Sequence, residues 1–286
     1  MTNPSAIDRL VRAGSYALNR LTGFIVRLNP DVRKPLVRRM YHLVNLLDTA
    51  GDMLFMNYGY APLDPGEQGL ELRAEDEANR YCIQLYHRVA GAVDLRGKDV
   101  LEVGCGRGGG ASFILRYLGP RSLVAVDFSW HGIRFAHRWH RLDGLAFVQG
   151  DAEALPFPPE SFDAVVNVES SHCYPSMERF LQEVVRVLRP QGHFLFADLR
   201  HRDQVETLRH QVKQSGLRIC QEELITPQVV RALELDSDRK NALIRKKVFP
   251  LARPAVREFA AVKGSQGYEF FRSGTWQYLR FVLQKA

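Results

Sequence analysis

The sequence predicts an α/β fold in which a mostly parallel sheet carries helices on both faces. Three short apolar runs, residues 100–103, 123–126 and 146–149, alternate with longer amphipathic stretches, as strands and helices do in β-α units. A glycine or an acidic residue follows each run directly. A last apolar run, residues 276–283, has no helix behind it. This pattern indicates a Rossmann-like sheet of seven strands whose last strand is reversed.

The strands and helices of this fold follow one another along the chain, and glycine turns and prolines set their bounds. The helix before Pro190 ends near residue 188 because proline disfavours helical backbone in the residue before it. We predict strands over residues 99–103, 123–126, 146–149, 162–168, 193–198, 217–224 and 276–283. We predict core helices over residues 74–92, 110–118, 130–142, 177–188 and 202–215.

The N-terminal region is predicted to be helical and to pack on this sheet. Apolar residues recur at steps of three and four over residues 5–29, and prolines separate this stretch from a second one at residues 35–50. Residues 51–70 are rich in glycine, proline and aromatic residues, and we predict a loop that crosses the mouth of the binding site.

A second irregular region interrupts the pattern before the last strand. Residues 226–270 begin with Thr226-Pro227, a typical helix start, and carry a run of charges. An insertion at this place is expected to roof the substrate pocket. We predict the following division of the chain: an N-terminal helical cap and lid over residues 1–90, the α/β domain over residues 91–286, and a cap insertion at residues 226–270.

Composition indicates a globular protein. Of the residues, 45% are hydrophobic and 25% charged, enough for a full core in 286 residues. No run approaches the roughly 18 apolar residues of a membrane span, and the first residues do not resemble a secretion signal, so we expect a cytoplasmic protein. The four cysteines show no C-x-x-C spacing, and neither a disulfide framework nor a metal site is predicted.

The net charge of +7 raises the question of an anionic partner. Residues 1–42 hold eight basic and two acidic residues, and a solvated helix face is the ordinary interpretation of such a run. Peripheral contact with anionic lipid or an acidic carrier protein through these helices is the alternative. A nucleic-acid amino-methyltransferase would need Asn/Asp-Pro-Pro-aromatic where this chain has Asn167-Val-Glu-Ser. We therefore expect a small-molecule substrate.

The turn after the first strand indicates a cofactor site. Gly104, Gly106 and Gly108 lack a Cβ, so that main chain can approach a ligand closely. Asp127, at the end of the next strand, can accept the two hydroxyls of a ribose. The window also satisfies G-x-G-x-x-G through Gly109, which keeps a nicotinamide site as an alternative.

Three observations favour S-adenosylmethionine (SAM) over a nicotinamide. Glu102 stands inside the first strand, where its carboxylate can meet an ammonium directly or through water. Asp151, followed by Ala152, suits a hydrogen bond to an adenine amino group, with Leu155 and Phe157 closing the pocket. The terminal strand without a helix fits a seven-stranded sheet.

These motifs together resemble those of class I SAM-dependent methyltransferases. The ordered set, which covers about residues 95–200, is Leu101-Glu-Val-Gly-Cys-Gly-Arg-Gly108, Asp127, Gly150-Asp-Ala152, Ser161-Phe-Asp-Ala-Val165 and Val187-Leu-Arg-Pro-Gln-Gly192. A narrower likeness is to bacterial phenolphthiotriol-type and fatty-acid O-methyltransferases, carried by Met56-Asn-Tyr-Gly-Tyr60, Asn167-Val-Glu-Ser-Ser-His-Cys-Tyr174 and Phe196-Ala-Asp-Leu-Arg200. Gln191 departs from the family's Pro-Gly-Gly, in a turn away from the chemistry.

The resemblance implies SAM as cofactor, S-adenosylhomocysteine (SAH) as its product, and a set of contacts. Tyr58 is expected at the methionine carboxylate or sulfonium, whose positive charge attracts aromatic faces. The residues predicted to bind the cofactor are Tyr58, Glu102, Gly104, Cys105, Gly106, Gly108, Asp127, Phe128, Asp151, Ala152 and Asn167.

The expected reaction is methyl transfer to a hydroxyl of a small apolar metabolite, such as a lipid or polyketide. His172, after the fourth strand, is the predicted general base because its imidazole titrates near neutral pH. Glu169 is predicted to orient it or to face the cofactor, and Asp198 to be a second base or a partner of His172. The alternatives are methylation of a carboxylate, which needs no base, and a SAM-binding, cyclase-like protein that transfers no methyl.

Overall fold

The computed structural model describes residues 51, 53–64 and 70–286. The helices predicted over residues 5–29 and 35–50 lie outside the described part of the chain.

Seven strands form one sheet in the order β3-β2-β1-β4-β5-β7-β6. All neighbouring pairs are parallel except those of β7, which is antiparallel to both β5 and β6. This confirms the predicted α/β class, the seven strands and the reversed last strand. The strands are β1 Asp99–Val103, β2 Ser122–Asp127, β3 Leu145–Gln149, β4 Phe162–Val168, β5 Leu188–His201, β6 Arg218–Leu224 and β7 Trp276–Gln284.

Helices cover both faces of the sheet, as predicted. Within the described ranges, five α-helices precede β6: α1 Arg80–Ala90, α2 Gly109–Phe113, α3 Trp130–Trp139, α4 Met177–Val187 and α5 Val205–Gln214. The four that lie between β6 and β7 are α6 Thr226–Leu235, α7 Ser237–Lys247, α8 Arg253–Phe259 and α9 Gln266–Arg272. The predicted start of a helix at Thr226-Pro227 is therefore confirmed.

Several predicted bounds are wrong. The helix predicted over residues 74–92 begins as a 3-10 helix, Ala74–Asn79. In this 3-10 helix, Asp76 accepts a hydrogen bond from Arg116, which lies 40 residues later in the sequence. The helix predicted over residues 110–118 continues from α2 as a π-helix, Ile114–Leu118. Strand β5 exceeds residues 193–198 because it pairs with β7 as far as His201 opposite Trp276. Pairing between segments that are distant in sequence cannot be predicted from the local sequence pattern.

Apolar side chains cover both faces of the central strands, as parallel sheets require. On one face, Ile83 and Val89 of α1 pack with Val100 of β1 in one buried cluster. On the other, Phe180 of α4 packs with Leu101 of β1 in a second cluster. Burial of each such side chain stabilises the fold by about 1.5–3 kcal/mol. This rigid sheet fixes the positions of the strand ends, where the site lies.

Candidate active site

The turn after β1 brings bare main chain to the carboxyl edge of the sheet. The N–H groups of Gly104 and Cys105 both donate to the carbonyl of Val126, at 2.8 and 3.1 Å. Gly104 has a φ of +77°, and a Cβ there would lie 2.3 Å from Ser170 Oγ. A side chain at this place would collide with the loop after β4, so the position requires glycine.

Asp127 ends β2 beside this turn. One of its carboxylate oxygens accepts the Gly106 N–H and the other the Ser129 N–H, both at 2.8 Å. Burial raises the pKa of Asp127, and the two backbone donors oppose that rise. The carboxylate is thereby held at the mouth of the turn, as the sequence predicted for a ribose ligand.

A cavity opens at this edge, with an empty volume of about 1090 Å³ that includes its part open to solvent. Its walls come from the strand ends and from the irregular segment 53–57. Of the predicted site residues, those that line the cavity are Gly104, Cys105, Gly106, Asp127, Phe128, Asp151, Ala152 and Glu169.

Glu169 follows β4 directly and also lines the cavity. Its Oε2 accepts hydrogen bonds from the Tyr58 N–H and the Tyr278 hydroxyl, both at 2.9 Å. Burial raises the pKa of this carboxyl to about 8, although these two donors and His172 counteract the rise. Its backbone has a φ of +53°, a left-handed conformation that is rare for a residue with a side chain.

His172, which is half-buried, forms an ion pair with the fully buried Asp198. His172 Nδ1 lies 2.7 Å from Asp198 Oδ1, and its backbone N–H donates to Oδ2. Ser171 Oγ donates to the same Oδ2 at 2.6 Å, and Arg200 lies 3.1 Å from it. Burial opposes the charged imidazole, but Cys173 and Asp198 outweigh it and raise the pKa of His172 well above its usual value. For Asp198, burial is outweighed by His172 and Arg200, which lower its pKa.

Comparisons with known proteins agree with this geometry. A family model described as "Methyltransferase domain" matches residues 101–196. The fatty-acid O-methyltransferase of Mycolicibacterium smegmatis is 39% identical over 91% of this chain and 93% of its own length. The phthiotriol/phenolphthiotriol dimycocerosates methyltransferase of Mycobacterium tuberculosis is 44% identical over 82% of this chain and 86% of its own. The chain belongs to the class I SAM-dependent methyltransferase family.

Solved structures show the same fold at low identity. A geranyl diphosphate methyltransferase in complex with SAM has a TM-score of 0.59 at 18% identity, over 82% of this chain and all of that one. The [4+2]-cyclase SpnF has a TM-score of 0.63 at 21% identity, over 87% of this chain and 94% of that one. The protein is thus a methyltransferase whose cofactor is SAM, and the nicotinamide alternative is set aside.

The methyltransferase cavity fits the cofactor. Gly106 has a φ of +54°, and a Cβ there would lie 2.5 Å from Met56 Cε, so the Met56 side chain packs directly on the main chain of the turn. Asp127 lies beside it, and Asp151, whose Oδ1 accepts the Glu153 N–H, follows β3. Main chain at the end of β1 and the carboxylates of Asp127 and Asp151 therefore line one cavity, which suits a ligand with several polar groups.

Six predicted site residues are not among the described residues that line the cavity: Tyr58, Glu102, Gly108, Asn167, His172 and Asp198. Glu102 is fully buried and accepts the Tyr86 hydroxyl at 2.7 Å, and burial raises its pKa to about 7. Glu102 therefore lies behind the cavity wall next to Tyr86, and its contact with the methionine ammonium, directly or through water, stays a prediction. Gly108 caps α2 with a φ of +81°, where a Cβ would meet Phe147.

Tyr58 and Asn167 have structural contacts instead of cavity contacts. The Tyr58 hydroxyl donates to the carbonyl of Phe259 at 3.2 Å, and its ring packs edge-on against Phe271. The ring therefore points to the helices between β6 and β7. Asn167 Nδ2 lies 2.9 Å from the carbonyl of Val103 and so ties β4 to the end of β1.

The expected closure of the pocket by Leu155 and Phe157 is wrong. Leu155 is buried in the cluster below the sheet, and the ring of Phe157 packs edge-on against Phe162. The chain turns at this point because Arg186 donates to both their carbonyls. Their side chains consequently support α4 and β4.

Sequence reasoning missed most of the cavity wall. Segment 53–57 was predicted as a loop at the mouth, but its individual contacts were not. Tyr86 and Tyr174 line the cavity, and Tyr278 reaches Glu169 from β7, 109 positions away in sequence. Tyr174 stood inside a recognised motif and was available as a signal. Tyr86 and Tyr278 carry no local signal because ordinary helices and strands contain tyrosines at such places.

The described residues contain neither a candidate metal site nor a helix that could span a membrane. Among them, no group of three or more His, Cys, Asp or Glu residues is arranged to hold a metal ion. No helix in the described ranges has the length and apolarity needed to cross a membrane. The four cysteines are free thiols.

Proposed function

We propose that the protein is an O-methyltransferase that transfers the methyl group of SAM to a hydroxyl of a lipid or polyketide product. The observation that carries the proposal is the position of Glu169, directly after β4, on the wall of the cavity that the glycine turn also lines. His172, which forms an ion pair with Asp198, follows it closely in sequence. The curated relatives support the substrate class, because their names refer to fatty acids and to phthiotriol lipids.

In this proposal the chain holds the cofactor along the ends of β1, β2 and β3. The main chain of Gly104 to Gly106 receives the methionine part, Asp127 the ribose, and Asp151 with its neighbours Phe128 and Ala152 the adenine. When bound, SAM supplies a methyl on a cationic sulfur: the acceptor oxygen forms the new bond, the C–S bond breaks, and its electron pair stays on the sulfur of SAH. Alignment of the reactants by the chain contributes about 7–11 kcal/mol.

A hydroxyl must also lose its proton, and two side chains are proposed for it. His172 is the base predicted from the sequence, and Asp198 orients its ring through Nδ1. Glu169 lies at the cavity wall. A placed base contributes roughly 10²- to 10⁴-fold in rate.

The helices between β6 and β7 are proposed to cover the acceptor. Tyr58, in the segment that crosses the cavity, donates to Phe259 of α8 and packs on Phe271 of α9. These contacts join the predicted cap insertion, residues 226–270, to the cavity wall. The lid predicted over residues 1–90 is proposed to complete the cover.

Carboxyl methylation is the second candidate, favoured by the name of the fatty-acid O-methyltransferase relative. A carboxylate is its own nucleophile and needs no base. The fold likeness to a cyclase carries no activity at 21% identity.

Labelled SAM and a matched pair of acceptors test the proposal. We expect the protein to label a long-chain secondary alcohol and to release SAH, and to label the carboxylic acid of equal length much more slowly. Preferential labelling of the acid would establish the second candidate. Binding of SAM by calorimetry without labelling of either acceptor would contradict both.

A further inference from the structure

We propose that Glu169 is the general base that removes the acceptor's proton, and that His172 acts on it as a fixed positive charge. The inference depends on the proposed function, since only a hydroxyl acceptor needs a base.

The two oxygens of the Glu169 carboxyl have different surroundings. Oε2 is held from two sides, by the Tyr58 N–H and the Tyr278 hydroxyl, at 2.9 Å each. Oε1 makes no hydrogen bond to any residue in the described part of the chain, and it is not sealed from solvent. Because Glu169 lines the cavity, Oε1 is the oxygen that a ligand can reach.

The backbone of Glu169 is also held in place. Its N–H donates to the carbonyl of Ala197 in β5 at 2.8 Å, and its φ of +53° turns the chain sharply at the end of β4. A left-handed conformation at a residue with a side chain is strained, and such residues occur often at functional sites. The turn places the carboxyl at the cavity wall instead of along the strand.

His172 does not occupy an equivalent position. It is absent from the cavity wall formed by the described residues, and its Nδ1 lies 2.7 Å from the buried Asp198. Together with Cys173, the fully buried Asp198 raises the pKa of His172 well above its usual value, which favours the protonated imidazole. A protonated imidazole has no lone pair for a second proton, so it stabilises the negative charge of a neighbour.

Burial raises the pKa of Glu169 to about 8, close to the value that suits a base at neutral to mildly alkaline pH. His172 lowers this pKa, and Asp198 raises it. The titratable groups that interact with Glu169 from the surrounding elements are Tyr58, Cys82, Tyr86, His172, Asp198, Lys240 and Tyr278.

The proton balance is simple. Ionised Glu169 accepts the hydroxyl proton on Oε1 while the acceptor oxygen forms its bond to the methyl carbon. Carboxylate becomes carboxylic acid, and the proton leaves to solvent after SAH and the methyl ether depart. His172 keeps its proton throughout.

The test compares Glu169→Gln and His172→Ala over a pH series with a long-chain alcohol as acceptor. Glu160→Gln is the matched control, because Glu160 is also a glutamate with positive φ, at 55°, and lies at the surface. We expect kcat/KM of the wild type and of the control to rise through a pKa near 8. Glu169→Gln should lose about 10²- to 10⁴-fold and show no rise, with SAM affinity within twofold of wild type by calorimetry.

The His172 variant separates the two assignments. We expect His172→Ala to keep activity within about tenfold, with the rise moved to higher pH because a positive charge near Glu169 is gone. Loss of most turnover and of the pH rise in His172→Ala, with Glu169→Gln near wild type, would overturn the inference and return the role to His172.

A titration without acceptor keeps the inference separate from the proposed function. Infrared difference spectra should show a carboxylic acid that ionises near pH 8 in the wild type and is missing in Glu169→Gln. If that signal is present and no alcohol is methylated, the proposed function fails. If alcohol is methylated and no carboxyl titrates near pH 8, the inference fails.

Discussion

At the residue scale, single carboxylates at the strand ends each accept hydrogen bonds from two donors. Asp127 accepts two backbone N–H groups with one carboxylate, and Glu169 accepts a backbone N–H and a tyrosine hydroxyl with one oxygen. The donors to Asp127 stand 21 residues before it and two residues after it, whereas the donors to Glu169 stand more than 100 residues away. Their protonation and orientation therefore depend on the folded chain.

Asp127→Ala should weaken SAM binding by about 10- to 100-fold. A hydrogen bond to a charged group contributes about 1.5–3 kcal/mol, and the variant also releases the turn at Gly106. Calorimetry measures the affinity. Asp94→Ala is the control, since Asp94 is an exposed acid that pairs with Arg96 before β1. Undiminished affinity in Asp127→Ala would refute its role in binding.

At the element scale, turns and strand lengths set which residues reach the edge of the sheet. The irregular part of β5, where its pairing with β4 shifts register, contains Gln191 in place of the family's glycine, and the φ of Gln191 is +63°. A side chain in that conformation costs free energy that glycine avoids. Its N–H still donates to the carbonyl of Lys285, which ties the turn to the end of the chain.

Gln191→Gly should stabilise the protein by about 0.5–1 kcal/mol, because the gain from relieved backbone strain exceeds the added entropy of the unfolded chain. Urea unfolding followed by circular dichroism gives the free energy of unfolding. Gln149→Gly, in the extended strand β3, should instead destabilise by a similar amount. Equal destabilisation by the two substitutions would show that the turn at Gln191 is not strained.

At the scale of the whole molecule, the reversed strand β7 brings a side chain from the end of the sequence to the site. It lies between β5 and β6, so that Tyr278 reaches Glu169 and fixes the carboxyl. Because Glu169 is buried, its ionisation changes the free energy of unfolding of the whole protein. Its folded-state pKa of about 8 lies above the usual value of 4.5, so the folded protein binds more protons than the unfolded chain between these values.

Stability of the wild type should consequently fall as pH rises from about 5 to 8, relative to Glu169→Gln. The ion pair of His172 acts in the same direction: its contribution is complete below the unfolded pKa of about 6.5 and is lost as pH rises through the raised folded value. Urea unfolding at pH 5 and pH 8 measures the difference between the two proteins. If the free energies of unfolding of the two proteins changed equally between pH 5 and pH 8, Glu169 would be ionised at both pH values.

The local sequence pattern was sufficient to predict most strands of the sheet and most residues of the glycine turn and the neighbouring strand ends. The runs that became β1 and β2 are largely buried, whereas β3 lies at the edge of the sheet and is partly exposed. The residue that ends or follows the first two runs indicates the turn, as Gly104 and Asp127 do. Pattern failed at Tyr58 and Leu155, because the direction of a side chain in an irregular segment depends on what packs against it.

The sequence alone determined the fold class, the reversed last strand, the glycine turn and the cofactor, because period and turn chemistry act over a few neighbouring residues. Only the tertiary structure decided which acid faces the cavity. Tyr58, Ala197 and Tyr278 converge on Glu169, while Asp198 takes His172. These contacts form only after the sheet has assembled, since their partners lie as far as 111 residues apart.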